Sequence, residues 1–261
     1  MRWSLRSSDG VDLEVVEFGG TGRPVVLLHG LTGRATTWWA VARELVGHGR
    51  VVGLDARGHG RSGRPEPGDP DAWSPGRMAA DVVELLERLG PSALVGHSMG
   101  GLAALLAASR RPDLVTAVVV EDMAVDLTAL PSDAAGEYAS AGQPFASLAA
   151  VREAFPGVGD YMTECVEERD DGYHLLVDLA DATAIATHWT HTSHWDALDA
   201  IRAPTLLIEA EDSIVPPGQA EEMARRISGC EHVRIAGTGH LVHDGPHPRY
   251  LEVVHALLDR T

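Results

Sequence analysis

Cysteine is scarce in this chain. Two stand among 261 residues, Cys165 and Cys230, far apart and in no CxxC or Cys/His grouping, which argues against a disulfide framework and against a zinc site. Positive charge is short as well: 21 lysine plus arginine face 38 aspartate plus glutamate, a formal charge of −17. A surface of that sign repels phosphate backbones and anionic membranes, so nucleic acid is disfavoured as a partner. Nor does any apolar run approach the roughly 20 residues that span a bilayer. The opening MRWSLRSSDG has no apolar signal-peptide core. The expectation is a soluble, cytoplasmic protein with free thiols that acts on a small molecule, with neither nucleic acid nor membrane as partner. No residue pattern speaks to its oligomeric state.

What the chain does have is a repeated alternation. Short runs rich in valine, leucine and isoleucine recur as VDLEVVEF, PVVLLHG, RVVGLDA, SALVGHS, VTAVVVED, PTLLIEA and EHVRIAG. They are too short for helices, and β-branched residues favour strands. Helical stretches are predicted between and after them at 36–46, 77–89, 99–110, 218–227 and 248–258. Strand and helix in turn imply an α/β fold, a mostly parallel central sheet flanked by helices. The pattern lapses at about 124–196, where alanine, acidic residues, proline and tryptophan replace it. A structureless loop of that length is improbable in a compact domain. A helical cap insertion is therefore predicted over 125–196, leaving 1–124 and 197–261 as the core.

One stretch raises a pointed question. ALVGHSMGGLAALLAAS surrounds a single hydroxyl, Ser98, with glycine at 96, 100 and 101. G-x-S-x-G between an apolar strand and an alanine-rich helix is the context in which a serine sits on a strained strand-to-helix turn. Glycines keep neighbouring side chains from colliding there. The helix start offers partial positive charge and the N–H of Met99 to an oxyanion. VVLLHGLTG, 25–33, ends a strand in a His-Gly turn that turns the N–H of Leu31 to the same cleft, so Leu31 and Met99 are the expected oxyanion hole. Serine also needs a base. His240, directly after RIAGTG, is placed at the end of the last strand, where open α/β sheets put their sites; His243, three residues on, is the weaker candidate. The glycine loop LDARGHGRSG lacks the GK[ST] of a phosphate cradle.

Taken together, the HG turn, D-x-R-G-H-G-x-S, G-H-S-M-G-G and the terminal G-x-G-H stand in the order of the α/β-hydrolase superfamily, which the chain resembles outside the cap. The resemblance implies Ser98 as nucleophile, His240 as general base and an acid that orients the histidine. Two acids fit. Asp212 has the usual D-x-x-x-P spacing to Pro216, but the loop from LLI is one residue short, so that Ser213 falls where the acid should stand. Asp122, in VVVEDMA and 24 residues after Ser98, matches a second arrangement seen in small bacterial esterases and lactonases. Asp122 is preferred. Glu121 points to the opposite face of the strand.

The cap ends in THWTHTSHWDAL. His188, His191 and His194 could share a helix face, but no acidic ligand completes a metal set, so no metal is expected. Trp189 and Trp195 are candidates for the wall of an apolar pocket. The implied activity is a serine hydrolase, of esterase or lactonase type, acting on a carboxylic ester, lactone or thioester without a cofactor. Carbon-carbon bond hydrolysis or a lyase reaction with the same triad is the alternative; a non-catalytic small-molecule receptor on the same fold is another. Serine rather than aspartate at 98 argues against epoxide hydrolases and haloalkane dehalogenases.

Overall fold

The runs read as strands assemble into one sheet. The computed structural model describes residues 1–129, 142–245 and 247–261; residues 130–141 of the expected cap lie outside these. In chain order the elements are β1 (Arg2–Arg6), β2 (Asp12–Gly19), β3 (Pro24–Leu28), α1 (Trp39–Leu45), β4 (Arg50–Leu54), α2 (Pro75–Leu89), β5 (Ser92–His97), α3 (Met99–Arg110) and β6 (Val115–Glu121). There follow α4 (Leu148–Ala154), α5 (Gly159–Thr163), β7 (Val166–Arg169), β8 (Gly172–Leu175), α6 (Leu179–His191), β9 (Thr205–Asp212), α7 (Gln219–Arg226), β10 (Cys230–Gly239) and α8 (Pro248–Leu258). Eight strands pair in the order β1-β2-β4-β3-β5-β6-β9-β10. β2 is antiparallel to both its neighbours and every other pair is parallel.

Alternation along the central strands divides the core in two. Val26, Leu28, Leu94, Val118 and Val120 pack under α2 and α3, while Val25, Leu27, Ala93, Val95 and Val119 pack against α1 and α8. Both faces are covered, so β3 and β5 are buried at every residue and read in the sequence as unbroken apolar runs. α3 is buried from Met99 to Ala108, as suits a helix apolar all round. α2 shows its ends in its residues: Ser74 Oγ accepts from the Arg77 N–H, Pro75 opens the helix, and Gly90 closes it at φ 88°.

Between β6 and β9 lie α4, α5 and α6, together with an antiparallel hairpin of β7 and β8 that the expectation of helices did not include. Its two-residue turn is Asp170-Asp171, with Gly172 opening β8 opposite Arg169 among exposed acidic residues. Phe145, Val151, Phe155, Met162, Cys165 and Leu175 give this part its own apolar cluster. Arg64, from the proline-rich loop before α2, reaches Asp178 at 3.3 Å and Asp181 at 2.6 Å at the start of α6. Cys165 and Cys230 are free thiols. Among the described residues no helix is long and apolar enough to cross a membrane.

Candidate active site

The central strands end together at one edge of the sheet, and the candidate residues follow them. β5 stops at His97, and Ser98 takes φ 50° and ψ −119° before α3 begins. A non-glycine residue there costs of order 1–3 kcal/mol and persists only where its surroundings impose it. The Ser98 N–H donates to the Glu121 carbonyl at 2.9 Å. The glycines around it are required by close approach: a Cβ on Gly96 would lie 2.4 Å from the Gly100 oxygen, and one on Gly100 would lie 2.2 Å from the Leu28 oxygen. Strand, turn and helix therefore touch backbone to backbone.

Met99 is the first residue of α3, where the first N–H groups of a helix have no intrahelical acceptor. Leu31 lies in the turn after β3. Its carbonyl accepts from His59 Nε2, and beside it His29 donates through Nδ1 to the Gly30 oxygen at 2.8 Å while its Nε2 accepts from the Ala56 N–H at 3.0 Å. One neutral tautomer satisfies both His29 bonds. Burial, with the charge of His59 next, pushes His29 down to about 3, so the turn is held by an uncharged ring.

Asp122 follows β6 and is the second non-glycine residue with positive φ, at 48°. It is fully buried. Oδ1 accepts from the Ala210 N–H at 2.9 Å and the Ser213 hydroxyl at 2.6 Å; Oδ2 accepts from His240 Nδ1 at 2.7 Å and the Ile214 N–H at 3.3 Å. Burial alone would raise its carboxyl, but the hydrogen bonds of His240 and Ser213 and the charge of His240 outweigh it, holding the group below the usual carboxylate range. Asp212, the other acid left open by the sequence, ends β9 on the surface. Its neighbour Ser213 reaches Asp122 instead.

His240 stands directly after β10, with its carbonyl accepting from His97 Nε2 at 2.9 Å. Its ring shares a cavity of about 340 Å³ with Ser98. Leu31, Leu127, Tyr161, Met162, Trp189 and Ile214 form much of the remaining wall. Trp189 lines this cavity. Trp195 does not: its Nε1 donates to Asp126 Oδ2 at 3.1 Å and the Arg226 guanidinium covers its ring at 4.8 Å, which carries it to the core side of the segment. Nor do His188, His191 and His194 converge as a ligand set among the described residues; the helix ends at His191, which breaks their common face.

The sequence reading passed over a second pair. Glu121 and His243 are both fully buried and meet at 2.8 Å. Their only sequence signals are the adjacency of Glu121 to Asp122 and the three-residue step from His240 to His243.

Comparison with known proteins follows the geometry. A model of the α/β hydrolase fold matches residues 23–245. Over 253 residues the chain is 30% identical to the sn-1-specific diacylglycerol lipase ABHD11 of Mus musculus, spanning 90% of this chain and 80% of that one. It is 28% identical to esterase Rv0045c of Mycobacterium tuberculosis over 266 residues, 95% of this chain and 86% of the other. Among solved structures, E-2-(acetamidomethylene)succinate hydrolase has the same fold, with a TM-score of 0.86 at 23% identity over 99% of this chain and 100% of that one.

Proposed function

Because the chain belongs to the α/β-hydrolase fold family, we propose that it is a serine hydrolase that cleaves a carboxylic ester, lactone or thioester through an acyl-enzyme on Ser98. The observation that carries this reading is the 2.7 Å bond from His240 Nδ1 to the buried Asp122 carboxylate, beside a cavity that His240 and Ser98 both line. Relatives named as an esterase and a lipase support the same class.

The steps follow from the donors and acceptors. With Nδ1–H committed to Asp122, His240 presents Nε2 as an acceptor and takes the proton of Ser98 Oγ as that oxygen attacks the substrate carbonyl carbon. The oxyanion receives the N–H groups of Leu31 and Met99. His240 returns the proton to the leaving alkoxide or thiolate as the bond to it breaks, and the acyl group stays on Ser98. A water molecule then gives its proton to His240 and attacks the acyl carbon; the carboxylic acid leaves and Ser98 recovers its hydrogen. Asp122 stays ionised throughout and stabilises the imidazolium. Segment 125–196 acts as the cap, bringing Leu127, Tyr161, Met162 and Trp189 over the nucleophile. An uncharged, largely apolar acyl or alcohol group suits that wall.

The test is labelling with a fluorophosphonate and turnover of p-nitrophenyl acyl esters. Wild type reacts in both and Ser98→Ala in neither. Folded wild type that takes no label sinks the proposal.

A further inference from the structure

We propose that Glu121, His243 and His97 form a buried clamp that positions the His240 turn against Asp122, separate from the groups that touch substrate; this rests on the Ser98 and His240 reading above. The turn needs such a device. Gly237 and Gly239 precede His240 and Gly245 follows it, so its backbone is intrinsically loose. The bond from His240 to Asp122 alone fixes one ring atom, not the path of the chain.

Three further points fix that path. His97 Nε2 donates to the His240 carbonyl at 2.9 Å. Three residues on, the backbone N–H of His243 and its Nδ1–H both donate to the same oxygen, Glu121 Oε1, at 3.0 Å and 2.8 Å. Both side chains of that pair are fully buried, where a charge-assisted bond is strong and a missing partner is costly. The His243 ring stacks on the fully buried Trp38 at 4.1 Å, and the His97 ring lies 4.5 Å from His240 and 4.8 Å from His243. Glu121 ends β6 and Asp122 follows it at φ 48°, so one dipeptide holds two histidines of one turn. His97, Glu121 and His243 also bring nitrogen and oxygen atoms within 4.8 Å of one another. His243 Nδ1 is committed to Glu121 and His97 Nε2 to a carbonyl, while His97 Nδ1 and His243 Nε2 are buried without a hydrogen-bond partner; the positioning role rests on the two committed atoms. All three are positioning residues.

Glu121→Leu with His243→Phe tests the clamp. The double variant removes both polar side chains and keeps an aromatic ring on Trp38, while the backbone N–H at 243 loses its acceptor, which releases the turn. Its kcat toward a p-nitrophenyl ester should fall about 10-fold to 100-fold, as displacement of a reacting group by about 1 Å does, with KM within about twofold. Glu121→Gln keeps an acceptor oxygen for His243 and should recover most of that loss. The far-downfield imidazole N–H resonance of His240, identified by its disappearance in His240→Ala, should broaden or vanish in the double variant at unchanged circular dichroism. A folded double variant with wild-type kcat, or with a sharp His240 resonance, overturns the proposal. The resonance needs no turnover, so it judges the clamp even if Ser98 takes no fluorophosphonate and the hydrolase reading itself fails.

Discussion

Replacing Asp122 by asparagine should cost about 10⁴-fold in kcat, for a reason set by the two oxygens. Ala210 N at 2.9 Å can only donate, whereas on the other side Ile214 N stands farther away at 3.3 Å. The asparagine carbonyl therefore keeps the Oδ1 position and its NH₂ takes the Oδ2 position, facing His240 Nδ1. An NH₂ cannot accept, so His240 must place its proton on Nε2, and the lone pair that should take the Ser98 proton is gone. A tautomer reversed in this way costs about 10⁴ in rate, or about 5 kcal/mol of barrier. The assay is kcat and kcat/KM with a p-nitrophenyl ester for Asp122→Asn and Asp212→Asn, with thermal melting as the control for folding. Asp212 is exposed at the end of β9, and its variant should stay within about twofold of wild type, as surface substitutions do. A folded Asp122→Asn within tenfold of wild type, or an equal loss in Asp212→Asn, would refute the reasoning.

Two further outcomes follow from packing and from protonation. Gly100→Ala drives a Cβ to 2.2 Å from the Leu28 backbone oxygen, whereas Gly101→Ala meets the Val120 side chain at 2.9 Å. The first should lose at least about 1–3 kcal/mol, about 2–4 °C of melting temperature per kcal/mol, and most of the fluorophosphonate reactivity; the second should lose less. Equal melting temperatures for the two would contradict this. Acid should also destabilise the fold well above the carboxylate range. Burial, with the neighbouring histidines, pushes His29 down to about 3 and His97 well below its ordinary value. Groups held neutral in the fold but protonated in the unfolded chain give stability that is complete above the unfolded value near 6.5 and is lost as pH falls below it. From pH 7.5 to 5.5 the His29 ring alone removes about 1.4 kcal/mol and His97 acts in the same direction, so the melting temperature should drop by several degrees. A melting temperature unchanged between those pH values would show that the rings are not buried neutral.

The sheet and the nucleophile turn were legible because local rules govern them. β3 and β5 are apolar along their whole length since both faces of the sheet are covered, and the glycines about Ser98 are there because backbone meets backbone. The proposed acid was only half legible. Asp212 is exposed at the end of β9 while its neighbour Ser213 faces Asp122, and a sequence gives such a one-residue difference as an ambiguity between two aspartates. The β7–β8 hairpin escaped notice because its outward residues are acidic and its strands span four residues each, too short to show a period. Trp195 could not be separated from Trp189 by type. Its place is decided by Asp126 and Arg226, residues far from it in the chain. The contact of Glu121 with His243 spans 122 positions, beyond anything a local pattern reports.

The adjacency of Ser98 and Asp122 on neighbouring strands has a temporal side. β5, α3 and β6 form one crossover unit, so two of the three proposed reacting-site residues are delivered by one short piece of chain. The third arrives from 118 positions beyond Asp122, on a turn carried by β10, the last strand at its edge of the sheet. During synthesis or refolding, the nucleophile turn can thus be complete while no base yet stands beside it. On the proposed chemistry, ester turnover starts only when that edge strand docks, and a continuous p-nitrophenyl assay run during refolding becomes a clock for the final closure of the sheet.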